Sequence, residues 1–335
     1  MAFKIISVFF LFIAIIWFFN KVLWILALIT ISLLIVYSIS PLLKYLVKMK
    51  VPHFPAVVIV YLCFLLSIFL FLYLVIPTVI VELRGLIRFL GSDFNLIISP
   101  FLNELGDLVI AYNMAESIET FFQQLPAYLQ QALEQAISFT RVIFNRLVDL
   151  LIVLFLVFYL LRDLDKLKIG FVRYFPAHTR VEVTRIIEIV DTKVGSYLRG
   201  NFIRCGIVGV LTGIGLYFMG MPFTFMLGVA AGVLNILVYI GPYLAAIPAV
   251  LLSLSADTPS PIVIVLFYVF IQALDGFVIT PPLLGKAVDL NPLTVIVAIL
   301  IGATLLGLLG VVIAIPTAAA LKVIIQHYYL KEERV

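Results

Sequence analysis

Runs of about 20 apolar residues recur along this sequence, without a regular alternation of apolar and polar positions. Val22–Ile39 and Ala56–Ile76 are two such runs. A run of this length matches the hydrocarbon core of a bilayer. Backbone polar groups in lipid must pair internally, which leaves only helices or closed barrels, and the strands of a barrel alternate apolar and polar residues. The runs therefore predict membrane-spanning helices.

The composition supports the same conclusion. Of the 335 residues, 64 % are hydrophobic and only 12 % are charged, whereas soluble domains have about 45–50 % apolar and about 25 % charged residues. We therefore expect an all-α polytopic integral membrane protein with about eight transmembrane segments, some of them broken or re-entrant hairpins in the C-terminal half.

The distribution of polar residues divides the chain into regions. Amphipathic patterns in 77–146 and 162–204 indicate helices that lie outside the hydrocarbon. Asn20 and Lys21 interrupt the first apolar region and predict a tight hairpin between two membrane helices. The expected regions are N-terminal membrane helices in 1–76, an extracytoplasmic amphipathic region in 77–146, a membrane helix in 147–161, a cytoplasmic amphipathic region in 162–204, a C-terminal membrane core in 205–326 and a cytoplasmic tail in 327–335.

The basic residues predict an orientation. Cytoplasmic loops of membrane proteins carry an excess of Lys and Arg. With the N-terminus inside, 17 of the 22 Lys and Arg residues fall in the cytoplasmic parts and five fall outside. We therefore expect a multi-pass protein of the cell membrane with both termini in the cytoplasm.

Two windows of the C-terminal core read alike. One runs from Pro222 through Gly241-Pro242 to Pro248, and the other runs from Pro292 through Gly310 to Pro316. Proline removes a backbone donor and glycine permits unwinding, so each window predicts two half-length helices separated by a break. The orientation above starts the first window outside and the second inside. This is the pattern of an inverted repeat, although apolar sequences also match themselves easily.

Several polar residues fall at membrane depth. Asp275 lies in an apolar run with Gln272 one turn before it, and an ionisable group there is costly unless it faces a cavity or a partner. A protonated, hydrogen-bonded carboxylic acid that only packs helices together is the alternative for Asp275. Asn235 fits either an interhelical hydrogen bond or a pore-lining amide.

The remaining candidates surround the predicted breaks. Tyr239 precedes the first break, although a tyrosine near a helix end also anchors a helix at the interface. Lys286 lies in a short inner connection and fits either a gate or an ordinary cytoplasmic loop residue. The candidate residues of a substrate or ion pathway are Asp275, Gln272, Asn235, Tyr239, Gly241, Pro242, Gly310, Pro316 and Lys286.

The sequence contains no sign of an enzyme. We find no phosphate-binding glycine loop, no nucleophile elbow and no His-Glu-x-x-His motif. His53, His178 and His327 lack a second ligand at a suitable spacing, so we expect no metal, cofactor or catalytic residue. The expected partners are the lipid bilayer and a small-molecule or ion substrate, with no nucleic acid.

Seven short motifs occur in order in the sequence: Tyr197-Leu-Arg-Gly200-Asn201, Gly220-Met-Pro222, Asn235-x3-Tyr239-Ile-Gly241-Pro242, Gln272-x2-Asp275-Gly276, Pro282-x2-Gly285-Lys286, Asn291-Pro292 and Ala314-Ile-Pro316. As an ordered set they resemble the autoinducer-2 exporter family of permeases. The match covers nearly the whole chain and is strongest from about residue 180 to 325. The resemblance implies export of a small furanone-type signal or sodium/proton antiport, and it implies a homo-oligomer, a pentamer.

Three functions are consistent with these observations. The first is a secondary permease or exporter of a small solute or signal, coupled to protons or sodium through Asp275. The second is a passive, channel-like oligomer in which Asp275 is structural. The third is a scaffold that transports nothing and binds a partner through 77–146.

Overall fold

The computed structural model consists of helices joined by short turns in the part of the chain that it describes. That part comprises residues 2–92, 124, 127, 128, 130, 131, 134, 147–237, 240–255, 258–284 and 290–326. Most of the predicted extracytoplasmic region 77–146, the tail 327–335, Tyr239 and Lys286 lie outside the described residues.

The helices confirm the all-α membrane fold. Four of the described helices are long and apolar enough to cross a membrane: Val22–Lys48, His53–Leu86, Arg180–Phe218 and Pro261–Leu284. The expected number of spans stays a prediction. In chain order the helices are α1 (Ala2–Lys48), α2 (His53–Leu70), a π-helical segment (Phe71–Val75), α3 (Ile76–Ser92), α4 (Leu147–Arg173), α5 (Arg180–Phe218), α6 (Thr224–Leu234), α7 (Gly241–Leu252), α8 (Pro261–Leu274), a second π-helical segment (Asp275–Ile279), α9 (Thr280–Leu284), α10 (Pro292–Leu306) and α11 (Leu308–Ile325).

The predicted hairpin at Asn20-Lys21 is wrong. Helix α1 continues through both residues and is 47 residues long, which corresponds to about 70 Å. The physical reason is that neither residue breaks a helix: both keep their backbone donor, and neither requires a left-handed conformation. The side of the membrane on which the N-terminus lies stays a prediction.

The residues fall into two compact units that interleave along the sequence. Unit 1 contains residues 1–64, 147–199 and 284–335, and unit 2 contains residues 65–146 and 200–283. Each unit gathers helices that are far apart in the chain, and the regions expected from the sequence stay predictions.

The core of unit 1 packs helix α1 against helix α4. Its buried members include Val36, Val57 and Val157. Helix α1 contains Pro41, which has no N–H to donate to the carbonyl of Tyr37 four residues earlier. The Nη1 group of Arg199 donates to that carbonyl oxygen at 3.1 Å, so the helix can continue past the proline.

Unit 1 also contains a tight hairpin of helices α10 and α11. The break predicted at Gly310 lies three residues earlier, at Gly307, where φ is +60° and ψ is −138°. A side chain adopts this conformation only with strain, so glycine is needed at the turn. Gly310 lies inside α11, where a Cβ atom would be 1.8 Å from the Gly302 carbonyl oxygen, and it allows the two helices to approach closely.

Unit 2 surrounds a second core, formed by Leu86, Leu216, Leu227, Leu252 and Ile264 among others. Helices α5 and α6 approach each other closely in this core. A Cβ atom on Gly228 would lie only 2.8 Å from the Gly209 carbonyl oxygen, so glycine is needed at this contact. The carboxylate of Glu82 accepts a hydrogen bond of 2.7 Å from the Met226 backbone N–H. This contact satisfies a free donor at the start of α6 and is favoured by the helix dipole.

The turn at Gly307 provides a stability test. We expect Gly307→Ala to destabilise the protein by about 1–3 kcal/mol, because the backbone conformation there disfavours a Cβ atom. Gly170→Ala is the matched control: Gly170 is helical and no atom lies within 4 Å of the added Cβ. Thermal unfolding in detergent should show a lower Tm for Gly307→Ala alone. Equal Tm values for the two variants would contradict this account of the turn.

Candidate functional site

Asp275 is buried in unit 2, with only 2 % of its surface exposed. It follows helix α8 and begins the π-helical segment Asp275–Ile279. A π-helical segment inserts an extra residue into a helical turn and frequently occurs at functional sites. The segment lies within the apolar stretch Pro261–Leu284, which is long enough to cross a membrane.

Three side chains contact the Asp275 carboxylate. Thr280 Oγ1 donates to Oδ1 at 3.2 Å. Asn235 Nδ2 donates to Oδ2 at 3.5 Å, and Arg204 Nη1 lies 3.6 Å from the same oxygen. Charge-assisted contacts usually measure about 2.7–2.9 Å, so this carboxylate is surrounded by donors but held loosely.

Arg204 is the cation of the site, and it too is buried, with 7 % of its surface exposed. Its Nη2 group donates to the backbone carbonyl of Asn235 at 2.8 Å. Asn235 follows the last residue of α6, so no backbone N–H of that helix donates to the Asn235 carbonyl. Arg204 therefore neutralises a buried carboxylate and satisfies a carbonyl at a helix break.

The break after α6 positions this carbonyl. The chain is not helical at residues 235–237 and resumes as α7 at Gly241, with Pro242 in its first turn. A Cβ atom on Gly241 would lie 1.8 Å from the Leu234 carbonyl oxygen, so glycine permits the return of the chain past the end of α6. Proline suits this place because the first helical positions need no intrahelical donor.

The structure brings together two of the predicted site residues, Asp275 and Asn235. Gln272 is exposed and lines, with Pro242 and Tyr243, an apolar groove of about 730 Å³ between α7 and α8. Gly310 and Pro316 lie in helix α11 of unit 1. Tyr239 and Lys286 lie outside the described residues. The functional roles of all these residues stay predictions.

Sequence reasoning missed Arg204. It was assigned to the cytoplasmic region 162–204, as the last of nine basic residues. The available signal was its position directly before the apolar run that starts at Cys205. A charge at that boundary belongs either to the loop or to the membrane interior, and only the fold decides between them.

Two glycine pairs were also missed. Gly209 and Gly213 on α5 face Gly228 and Gly232 on α6, and each pair has the small-xxx-small spacing that lets membrane helices approach closely. The same stretch of α5 lines an apolar groove of about 690 Å³.

A metal site has no support in the described part of the chain. No group of three His, Cys, Asp or Glu side chains there could hold a metal ion. The cluster consists of a carboxylate, a guanidinium, an amide and a hydroxyl from Asp275, Arg204, Asn235 and Thr280.

The comparisons with known proteins point to membrane transport. The family described as AI-2E family transporter matches residues 5–330. YrrI of Bacillus subtilis (strain 168), provisionally named a transport protein, is 28 % identical over 89 % of this chain and 85 % of its own length. YueF of the same organism, named in the same way, is 26 % identical over 85 % of this chain and 79 % of its own. PerM of Escherichia coli (strain K12), provisionally named a permease, is 28 % identical over 54 % of this chain and 52 % of its own.

The buried ion pair makes a prediction about stability. Arg204→Gln and Asp275→Asn each leave one buried charge without its partner, and we expect each to cost about 3–5 kcal/mol. The double variant removes both charges, so it should lose much less than the sum of the two. Chemical unfolding in detergent measures all three. Additive losses would show that the two side chains do not interact.

Proposed function

The chain belongs to the AI-2E transporter family, and from that premise we propose that it is a secondary permease or exporter of a small solute or signal molecule with Asp275 and Arg204 in its pathway. The observation that carries this proposal is the buried pair itself. Charged side chains inside membrane helices are costly and typically mark substrate or ion paths.

The loose geometry supports coupling to a cation. A proton or a sodium ion that reaches the Asp275 carboxylate competes with Arg204, whose Nη1 lies at 3.6 Å. Once displaced, the guanidinium needs another acceptor, and an anionic or carbonyl group of the solute can provide it. Cation binding and solute binding are then linked through one exchange of partners.

Two other functions remain as competitors. In a passive, channel-like oligomer, the pair would only hold helices together, and flux would follow the solute gradient without ion coupling. In a scaffold, the region 77–146 would bind a partner and no solute would move. The buried charges favour transport over the scaffold, because a scaffold has no need of them.

The two broken windows support the same proposal. Each contains two helices separated by a short break, α6 with α7 and α10 with α11. We propose that residues 202–255 and 262–326 are inverted repeats of a transport core in 205–326. Superposition of the two segments about an axis in the membrane plane is the test, and a failure to superpose refutes the repeat.

The assembly and orientation are also proposals. We propose a homo-oligomer, a pentamer as the family resemblance implies, which native mass spectrometry can count. We propose that the C-terminus and the region 162–204 lie in the cytoplasm, because basic residues concentrate there. Arg204, the last residue of that region, is the exception, because it is buried against Asp275. Since α1 is continuous, a single crossing by α1 would place the N-terminus outside.

Impermeant thiol reagents test the orientation in intact cells. With Cys63 and Cys205 replaced by alanine, we expect Lys168→Cys and Lys193→Cys to be labelled only after the cells are permeabilised. Lys4→Cys reports the side of the N-terminus, and labelling before permeabilisation would support a single crossing by α1. Labelling of Lys168→Cys in intact cells would invert the proposed topology.

Reconstitution into proteoliposomes tests the transport mechanism. A screen of uptake and efflux under imposed proton and sodium gradients first identifies a transported solute. Asp275→Asn and the double variant Arg204→Gln/Asp275→Asn should then lose gradient-driven transport by about tenfold or more, since the exchangeable carboxylate is gone.

Asp163→Asn is the matched control, because it removes the same charge from a carboxylate that pairs with Arg162 and Lys166 outside the spans. We expect it to transport at the wild-type rate. Unchanged gradient-driven flux in the double variant would refute coupling through the pair and favour the passive channel.

A further inference from the structure

Helix α5 has two different faces in unit 2. Successive residues of a helix are rotated by about 100°, so Asn201, Arg204 and Thr212 lie within about 80° of one another on one face. Gly206, Gly209 and Gly213 lie about 80–140° around the helix from Asn201 and line the apolar groove. The polar face is turned into the protein: Arg204 is buried and Thr212 has no exposed surface.

Three polar atoms on this face have no hydrogen-bond partner. They are Asn201 Oδ1, Arg204 Nε and Thr212 Oγ1, and they are the only buried side-chain atoms without one among the described residues. A buried polar atom without a partner costs about 1–3 kcal/mol. It is unusual for all such atoms to fall on one face of one helix, since buried polar groups are normally satisfied.

Thr212 differs from the other threonines of the same helix. Thr184 and Thr192 donate to the carbonyl oxygens four residues earlier, Arg180 and Glu188, at 2.9 and 2.8 Å. Membrane helices commonly satisfy threonine in this way. The Thr212 hydroxyl makes no such contact, so it is free to bind a group that the chain does not provide.

The chemistry of the three atoms identifies the missing partner. Arg204 Nε can only donate, Asn201 Oδ1 can only accept, and the Thr212 hydroxyl can do both. A metal cation would satisfy only acceptors and an inorganic anion only donors. A hydroxyl group donates and accepts, and it suits Asn201 in either orientation of the amide.

We propose that water or the hydroxyl groups of a solute occupy a polar seam along the buried face of α5, from Asn201 to Thr212. The seam is about 17 Å long, which is about half of the hydrocarbon core. It contains Arg204 and so leads to the Asp275 carboxylate, 3.6 Å from Nη1. The inference rests on the proposed function, because it gives the exchangeable pair its connection to an aqueous side.

Val208 lies on the same face between the two polar ends and is buried. A single apolar residue in a narrow aqueous path can interrupt the water by dewetting. The seam is therefore closed at Val208 and opens when the surrounding helices move. This assigns Thr212 and Asn201 to binding of hydroxyl groups and Val208 to gating.

Cysteine labelling tests the seam without any transported solute. In a background with Cys63→Ala and Cys205→Ala, Thr212→Cys should react with a small methanethiosulfonate reagent at least about tenfold faster than Leu216→Cys. Leu216 is the matched control, because it lies one turn further on α5 and has no exposed surface either. A rate ratio near one overturns the seam, whatever the transport assays show.

Glycerol distinguishes the two sources of hydroxyl groups. Protection of Thr212→Cys by molar glycerol indicates that solute hydroxyls enter the seam, and fast labelling without protection indicates water alone. Both results support the seam.

Isosteric variants provide an independent measurement. Thr212→Val should slow transport severalfold at an unchanged Tm, and Val208→Thr should accelerate it. If the Thr212 hydroxyl faces only an empty internal void, Thr212→Val should instead raise the Tm and leave the flux unchanged. That result overturns the seam. The pair variants Asp275→Asn and Arg204→Gln test the proposed function separately, because labelling at Thr212 requires no coupling.

Discussion

The arrangement of unit 2 depends on keeping one carboxylate and one guanidinium together inside apolar helices. Removing two charges from water costs several kcal/mol per ion, and their attraction offsets this only if other polar groups complete the site. Thr280, Asn235 and the Asn235 carbonyl supply those groups to Asp275 and Arg204. The helix break after α6 and the π-helical turn at Asp275 are the backbone features that place these groups. The two irregular backbone segments of unit 2, at the end of α6 and at Asp275, therefore hold the groups that complete the charged site.

In each unit, a backbone carbonyl that has lost its helical hydrogen-bond donor accepts from an arginine of helix α5. In unit 1, Pro41 leaves the Tyr37 carbonyl without its helical donor, and Arg199, together with the Ser40 hydroxyl, donates to it instead. In unit 2, the end of α6 leaves the Asn235 carbonyl free, and Arg204 provides its donor. Lipid offers no hydrogen bonds, so a break in a membrane helix requires such a donor from the protein. A guanidinium suits the task because it has five donors and can bind a carbonyl and a carboxylate at once.

The sequence predicted the helical membrane fold and singled out Asp275 as a charge inside an apolar segment, because both follow from local properties: apolar length and the cost of a charge in lipid. The structure buries Asp275, and its role in transport stays a prediction. It failed where the answer depends on distant partners or on backbone conformation. Arg204 pairs with a residue 71 positions away, and nothing local distinguishes it from the loop arginines before it. Gly307 and Gly310 are equally flexible in sequence, but only Gly307 has a positive φ. Asn20-Lys21 looked like a turn because it is polar, although polarity without a helix breaker does not end a helix.

The loose geometry of the pair fits the proposed transport site better than a purely structural ion pair. A buried ion pair that only stabilises helices gains most from short, bidentate contacts, because these offset the cost of desolvation. Here Asp275 is 3.2–3.6 Å from each of its three side-chain partners, and Arg204 Nε is left without a partner among the described residues. Such a pair sacrifices stability and keeps both members able to accept another partner. Exchange needs a low barrier between partners rather than a deep minimum with one of them, since a tightly paired carboxylate would neither bind nor release a cation during a transport cycle. The spare donor on Arg204 and the spare acceptor on Asn201 lie on the same face of α5. In the proposed mechanism, an arriving hydroxyl group would therefore be bound before the pair separates.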